Sequence, residues 1–119
     1  MFFSKCKVWD EDKKTMYCYS EIPLKILLED EINIKDILFY TDRYDSQGKE
    51  ACMGDILKNK YVGLGIIEFG EYHQPCGNKH IGFYVRPLDS EYIRKDLIYW
   101  LDKSEIIGNK YENRNLLKR

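Results

Sequence analysis

The segment His73-Gln-Pro-Cys76-Gly-Asn-Lys-His80 places two imidazoles and one thiol close together, and these are groups that bind zinc. Three such ligands leave a fourth position for the water molecule of a catalytic zinc site. The alternative is a polar hairpin loop that contains these residue types by chance, since no paired Cys-x-x-Cys motif accompanies them. We favour the loop and expect no bound metal and no cofactor, with His73, Cys76 and His80 as the candidate ligands if a metal does bind.

Other segments carry too few of the residues that catalysis needs. Ser46 lacks the Gly-x-Ser-x-Gly context of a hydrolase nucleophile, and Cys52 has no histidine near it in the sequence. Gly63-Leu-Gly65 is not followed by a helical pattern, so it does not fit a dinucleotide-binding loop. We therefore expect a protein without enzymatic activity, with a metal-dependent enzyme as the less favoured alternative.

The size and charge of the chain limit the kinds of partner that it could bind. Its 119 residues suit one domain, and we expect a single domain over residues 1–119. The net charge is −1, whereas nucleic-acid binding needs clustered basic residues, so nucleic acid is not an expected partner. Ten tyrosines point instead to half-buried strands and protein interfaces. The alternative is a small barrel that stacks single-stranded bases on Trp9, Tyr84 or Tyr92.

Two features of the sequence bear on location. The opening MFFSKCKVW meets charged residues before any long apolar run, and no stretch approaches the roughly 20 apolar residues of a membrane span. We expect a cytoplasmic protein that does not enter membranes. Thiols are reduced in that compartment, so the four cysteines are expected to be free or metal-bound.

The first half of the chain predicts a β-hairpin over residues 5–19 around the polar loop 10–14. If that loop is centred on Asp12, Cys6 lies opposite Cys18. Residues 20–34 fit either a short helix or a strand, because their periodicity does not decide between the two.

The second half predicts further strands and two helices. Strand 61–69 changes the phase of its apolar residues beside two glycines, which indicates a bulge or a strong bend. Residues 87–103 favour a helix capped by Asp89 or Ser90, although a strand over 96–101 stays open. Residues 113–119 predict a terminal helix capped by Asn113. The other predicted strands cover 36–40, 56–61, 80–86 and 104–112.

These elements together predict a mainly β (α+β) fold. So many short antiparallel strands close most simply as a small, strongly bent pseudo-barrel with a helix across one end.

The stretch YTDRYDSQGKEACMGDIL, residues 40–57, is dense in polar residues. Asp45-Ser-Gln-Gly48 fits a type I β-turn in which the aspartate bonds the amides of its own turn. Gly54 fits a backbone angle that other residues avoid, and Asp55 fits a bond to unpaired amides of the loop. We interpret the stretch as a self-bonded connection between strands rather than as a binding site.

The same stretch resembles the signature of the YopX family of bacteriophage and prophage proteins, Tyr-Thr-Gly-x-x-Asp-x-x-Gly-Lys-Glu-x-x-x-Gly-Asp-Ile-Val. The later segment EIIGNKYEN, residues 105–113, is similar to the family's ending EVIGNIYENPELL. Asp42 stands where the family has glycine. The matching residues that we expect to support the fold are Tyr40, Thr41, Asp45, Gly48, Lys49, Glu50, Gly54, Asp55, Gly108, Asn109, Tyr111 and Asn113.

The resemblance implies a β-rich pseudo-barrel capped by a helix, a tendency to self-associate and a phage or prophage origin. It implies no activity, and it supplies no catalytic residues to carry over. The expected function is therefore that of a non-enzymatic accessory protein in the bacterial cytoplasm. Such a protein acts by assembling with itself, as a homo-oligomer, and by binding a phage or host protein.

Overall fold

The computed structural model describes residues 6–19, 37–90 and 92–117. Within these ranges the chain has two antiparallel sheets, one of them curled into a half-barrel, and one short helix. The predicted mainly β fold with a small helix is therefore confirmed. The elements are β1 (Cys6–Asp10), β2 (Thr15–Tyr19), β3 (Ile37–Tyr44), β4 (Glu50–Cys52), β5 (Asp55–Asn59), β6 (Gly63–His73), β7 (Lys79–Pro87), α1 (Leu97–Leu101), β8 (Ser104–Asn109) and a 3₁₀ helix (Arg114–Leu117).

The chain divides into two compact units, Met1–Tyr40 and Thr41–Arg119. In the first unit β1 pairs with β2 on one side and with the start of β3 on the other. Their apolar side chains form a small core of Cys6, Val8 and Ile37. The predicted hairpin is thus confirmed, whereas the single domain over residues 1–119 stays a prediction.

The predicted register of that hairpin is wrong by one residue. Cys6 lies opposite Tyr19, and Cys18 lies opposite Lys7. The loop between the strands has four residues, so its centre falls after Asp12 rather than on it. Both thiols are free, and burial raises the pKa of Cys6, with a further contribution from the nearby thiol of Cys18.

The second unit contains a four-stranded sheet in the order β7-β6-β5-β8. Helix α1 packs against β5, β7 and β8. The core is made of Ala51, Leu57, Ile67, Val85, Leu97, Trp100, Leu101 and Ile106. Trp100 is fully buried at its centre, and its indole Nε1 donates to the carbonyl of Arg94 at 2.7 Å.

The bulge predicted within residues 61–69 does not occur, because β6 pairs in an unbroken register on both sides. Consecutive apolar residues occur in this strand because both faces of the sheet are buried there. Ile66 and Ile67 point to opposite faces, and each is almost inaccessible to solvent. The strands also extend further than predicted and leave only residues 74–78 as the loop.

The β6–β7 hairpin bends strongly near its tip. A flat hairpin would hold Gln74 about 20 Å from the level of Tyr84. Yet the Gln74 side chain bonds Lys95 and Asp96, which lie beside Val85 and Tyr84 at the base of the hairpin. The facing glycines Gly70 and Gly82, each with a φ of +153°, lie between these levels and mark the bend.

The helix predicted over residues 87–103 is wrong except for its last turn, Leu97–Leu101, and the alternative strand over 96–101 is also wrong. Asp89 does not cap a helix; its carboxylate accepts from the amide of Leu64 at 2.8 Å. Pro87 belongs to β7, and the short helix begins only after Asp96. Ser90 likewise lies in an irregular segment and caps no helix.

The end of the chain follows the prediction more closely. Strand 104–112 is observed as β8, with a β-bulge where Gly108 was expected to bend. The terminal helix is a 3₁₀ helix, and the Asn113 side chain accepts from the amide of Asn109 instead of capping it. Residues 20–34 lie outside the described residues.

Gly65 lies where the backbone of β6 packs closely against Val85 and the Trp100 ring. A Cβ atom there would lie 2.5 Å from Val85 and 3.0 Å from the Trp100 ring. We expect Gly65→Ala to destabilise the protein by about 2 kcal/mol, because rigid core groups must move apart. Urea unfolding followed by tryptophan fluorescence measures this.

Lys58→Ala, on the exposed side of β5, is the matched control and should change stability by less than about 0.5 kcal/mol. Equal stability of the two variants would contradict the packing described for Trp100.

Candidate functional site

The polar stretch 40–57 is organised around the carboxylate of Asp45, which is buried. One carboxylate oxygen accepts from the amides of Gln47 at 2.9 Å and Lys49 at 2.8 Å. The other accepts from the amide of Ile106 in β8 at 2.9 Å. The amide of Gly48 also donates to the Asp45 carbonyl at 3.1 Å, so the predicted turn with its self-bonded aspartate is confirmed.

The environment of Asp45 favours its charged form. Burial alone would raise the pKa of this carboxyl group, but hydrogen bonds from the amides of Ile106, Lys49 and Gln47 outweigh that effect. The positive charge of Lys49 acts in the same direction, and the pKa lies below its usual value. Asp45 is therefore ionised at neutral pH and is unsuited to act as a proton donor there.

The second half of the stretch is bonded in the same way. The buried carboxylate of Asp55 accepts from the amide of Cys52 at 2.8 Å, as predicted. Gly54 has a φ of +85°, its amide donates to Ile67, and its carbonyl accepts from Lys110 at 2.9 Å. The Tyr111 ring lies against Gly54, so a larger residue would be strained there and would also crowd that ring.

Segment 105–113 forms a compact turn beside Gly54. The Asn109 side chain accepts from the amides of Tyr111 and Glu112, and its own nitrogen donates to Glu112. The amide of Asn113 in turn donates to the Asn109 carbonyl at 2.9 Å. Because Asp45 bonds Ile106 and Gly54 bonds Lys110, the two signature segments meet at β8.

Thr41 and Asp42 mark the end of the regular part of β3. The Thr41 hydroxyl donates to the carbonyl of Ala51 at 2.9 Å and accepts from the amide of Arg43. Asp42 adopts a left-handed conformation with a φ of +60°, which is a conformation that glycine adopts at no cost. The ring of Tyr40 lies 5.4 Å from the ammonium group of Lys7.

The signature residues thus bond mainly to one another and to the backbone. Lys49 is exposed and Glu50 is half-buried. The rest of the network holds a turn and two strand ends together.

The metal-ligand candidates are not brought together. His73 lies opposite Lys79 in the hairpin, His80 lies opposite Tyr72 and stacks on its ring, and Cys76 is an exposed loop residue. His73 lies 3.8 Å from Glu71, an exposed pair. Among residues 6–19, 37–90 and 92–117, no three His, Cys, Asp or Glu side chains are grouped closely enough to hold an ion.

The three candidates for base stacking differ in how much of their rings is exposed to solvent. Trp9 is buried, and its indole donates to Glu11 at 2.5 Å. Tyr84 is half-buried, stacks on Tyr72 and donates to Glu68 at 2.9 Å. Only Tyr92 among the three presents most of its ring to solvent.

One exposed apolar region of the second unit surrounds α1. We call the side chains Tyr44, Tyr61, Ile98 and Tyr99 the helix-face surface. Ile98 is 61% exposed and Tyr61 is 71% exposed, whereas Leu97, Trp100 and Leu101 of the same helix are buried. Tyr44 and Ile98 line one groove, and Tyr61, Ile98 and Tyr99 line a second.

Charges of both signs border the helix-face surface. Arg43, Asp42 and Asp102 line the first groove with Tyr44 and Ile98. In the second groove Arg94 lies 5.0 Å from the Tyr99 ring and forms two hydrogen bonds with Asp96, at 2.9 and 3.0 Å. An apolar centre with a mixed charged rim is typical of a protein interface rather than of a nucleic-acid groove.

Sequence reasoning missed this surface. The signal lies in the spacing of Leu97, Trp100 and Leu101, which places those three side chains on one side of a helix. Ile98 and Tyr99 must then face the other way, but the longer helix predicted over 87–103 obscured that division.

Comparison with known proteins does not extend these findings. No protein-family model matches the chain, and no curated protein matches it either. The resemblance to the YopX family therefore stays a prediction. In the part of the chain that the structure describes, no helix is long and apolar enough to cross a membrane.

The Asp45 network yields a test of pH dependence. The pKa of Asp45 is lowered in the folded protein, so its contribution to stability is present above the unfolded-state value of about 3.9. That contribution is lost as the pH falls further, towards the folded-state pKa. We expect Asp45→Asn to cost about 1.5–3 kcal/mol at pH 7, because an amide side chain cannot accept all three bonds. Urea unfolding at pH 7 and pH 3 measures both effects.

Asp12→Asn in the exposed β1–β2 loop is the control and should leave stability nearly unchanged. If Asp45→Asn destabilised the protein equally at both pH values, the ionised carboxylate would not be the source of the stability.

Proposed function

We propose that this protein is a non-enzymatic accessory protein of phage or prophage origin that acts through self-assembly and through binding another protein. The observation that carries the binding part is the helix-face surface. Four large side chains remain exposed there, whereas Leu97, Trp100 and Leu101 of the same helix are buried in the core. Contiguous apolar surface of this kind on a small protein is a feature of interaction sites.

The composition of the helix-face surface supports a protein as the partner. Tyrosine and arginine are enriched where protein interfaces contribute most of their binding energy. Arg94 lies over the Tyr99 ring, and Lys60 lies 5.7 Å from the Tyr61 ring, so these two rings already have cationic neighbours. Asp42, Asp96 and Asp102 line the same grooves, so the grooves lack the excess of basic side chains that a nucleic-acid backbone requires.

The non-enzymatic part rests on how the buried carboxylates are used. Asp45 and Asp55 accept hydrogen bonds from backbone amides, which fixes turns and strand ends. Carboxylates that are bonded to the backbone in this way support the fold, and in Asp45 the bonds also stabilise the charged form. The phage or prophage origin and the bacterial cytoplasm rest on the resemblance of residues 40–57 and 105–113.

Self-assembly is tested by light scattering after size-exclusion chromatography over a range of protein concentrations. We expect an average mass above the 14.3 kDa of one chain, rising with concentration. If the mass stayed that of one chain at several hundred micromolar protein, any self-association would be weaker than about that dissociation constant. That result would remove self-assembly from the proposal.

Partner binding is tested with Ile98→Asp, which places a charge at the centre of the helix-face surface. We expect the wild-type protein, immobilised, to retain a specific phage or bacterial protein that this variant retains at least about tenfold less well. Tyr92→Asp is the matched control, because Tyr92 is even more exposed than Ile98 but lines neither groove. Equal retention by both variants would contradict a role for this surface.

A further inference from the structure

The carboxylate of Asp96 is placed to cap α1 but does not do so. Asp96 immediately precedes the helix in an extended conformation, and aspartate at such a position ordinarily accepts from the first amides of the helix. Within the described residues its side chain forms no capping bond. The carboxylate is directed towards two other side chains instead, at the expense of a contact that would stabilise the helix.

Those two side chains are Arg94 and Gln74. The Arg94 guanidinium donates to both oxygens of Asp96, from Nε at 2.9 Å and from Nη2 at 3.0 Å. The Gln74 side chain donates to Asp96 through Nε2 at 3.2 Å, and its oxygen accepts from the amide of Lys95 at 2.9 Å. The tip of the β6–β7 hairpin therefore reaches the carboxylate that holds Arg94.

The guanidinium held in this way belongs to the second groove of the helix-face surface. Its central carbon lies 5.0 Å from the centroid of the Tyr99 ring, and both residues line that groove. Asp96 takes two of the five N–H groups of Arg94, and the side chain is 63% exposed. Arg94 can thus donate to a partner while it stays bonded to Asp96.

We propose that Gln74 is a positioning residue for the helix-face surface. By holding Asp96, it keeps the Arg94 guanidinium in one orientation over the Tyr99 ring, ready for a partner protein. Ordering a long side chain at an interface costs binding free energy, and a side chain that is ordered beforehand avoids that cost. This inference rests on the partner binding in the proposed function, and it assigns part of the affinity to a residue outside both grooves.

The Arg94–Asp96 pair serves orientation more than stability. An ion pair with an exposed member contributes little to folding. Other bonds hold the backbone of the same segment, because the amide of Val85 donates to the Lys95 carbonyl and the Trp100 indole donates to the Arg94 carbonyl. The segment therefore keeps its place without the carboxylate, whereas the Arg94 side chain loses its fixed orientation.

Asp96→Ser separates the two roles, because serine caps helices well but is too short to bond a guanidinium at both oxygens. We expect its midpoint of urea unfolding to be no lower than that of the wild-type protein. The Nε–H proton of Arg94 should exchange with water about tenfold faster, as measured by heteronuclear NMR. A lowered midpoint with an unchanged exchange rate would assign the carboxylate to stability alone and overturn the inference.

Gln74→Met tests the positioning itself, since methionine is similar in length but cannot donate to Asp96. We expect the Arg94 Nε–H proton to exchange about threefold faster or more, because Asp96 has then lost one of its bonds. Gln47→Met is the matched control, since Gln47 is an exposed glutamine that lines neither groove. An exchange rate in Gln74→Met equal to that of the control would contradict a positioning role.

The effect on binding is measured with the protein that the immobilised wild-type chain retains, purified and titrated. We expect Gln74→Met to bind it about three- to tenfold more weakly. In an Arg94→Ala background the same substitution should cause no further loss, because Gln74 acts through Arg94. A loss of equal size in both backgrounds would indicate a general effect on the fold and would overturn the inference.

The outcomes separate this inference from the function on which it rests. A wild-type chain that retains no protein removes partner binding from the proposed function, and the role of Gln74 in binding falls with it. Retention that Ile98→Asp weakens and Gln74→Met leaves unchanged would overturn only the role of Gln74.

Discussion

A single buried carboxylate joins two parts of this chain that lie 61 residues apart in sequence, Asp45 in a turn and Ile106 in β8. An ionised carboxylate away from water is costly unless its oxygens are bonded, and here three backbone amides bond them. Two of those amides belong to the turn itself and the third belongs to the edge strand β8. If the turn and β8 moved apart, the carboxylate would lose a hydrogen bond. The position of β8 relative to the polar turn is set by this group together with Ser46, whose amide and hydroxyl both donate to the Ser104 carbonyl.

The arrangement of α1 depends on that position. The helix has five residues, which is too short to be stable alone, and β8 begins three residues after it ends. Trp100 holds it through its close packing over Gly65, its bond to the Arg94 carbonyl and the Ser104 hydroxyl that bonds its own carbonyl. Because Leu97, Trp100 and Leu101 are directed into the core, Ile98 and Tyr99 lie on the opposite side of the helix and face solvent. The helix-face surface is thus a geometric consequence of the core.

Much of this architecture was predictable from local patterns. The alternation of residues 5–19 and the turn residues at Asp45–Gly48 report interactions within a few positions, and the structure confirms both. Asp55 and Gly54 were predictable for the same reason. The resemblance between the signature segments and a phage family did not reveal that the two segments touch, because a bond such as Asp45 to Ile106 has no local signal.

The errors came from long-range packing. Residues 87–96 carry a helical pattern, yet Asp89 bonds Leu64 and Lys95 bonds both Val85 and Gln74, and these contacts hold the segment along the sheet instead. The phase change at Ile66 and Ile67 indicates a bulge or a strong bend only in a sheet that has one buried face. The sheet is buried on both faces there, so adjacent apolar residues are compatible with an unbroken strand.

The segment that leads into α1 is held by the bent hairpin as well as by the sheet. Lys95 bonds both Val85 and the Gln74 side chain, and Asp96 bonds Gln74, so the tip of the β6–β7 hairpin returns to the start of α1. The helix that carries Ile98 and Tyr99 therefore begins from residues that the sheet holds in place. The helix-face surface offers side chains and charges of both signs, so it suits a partner whose shape and charge complement it, and no particular secondary structure is required.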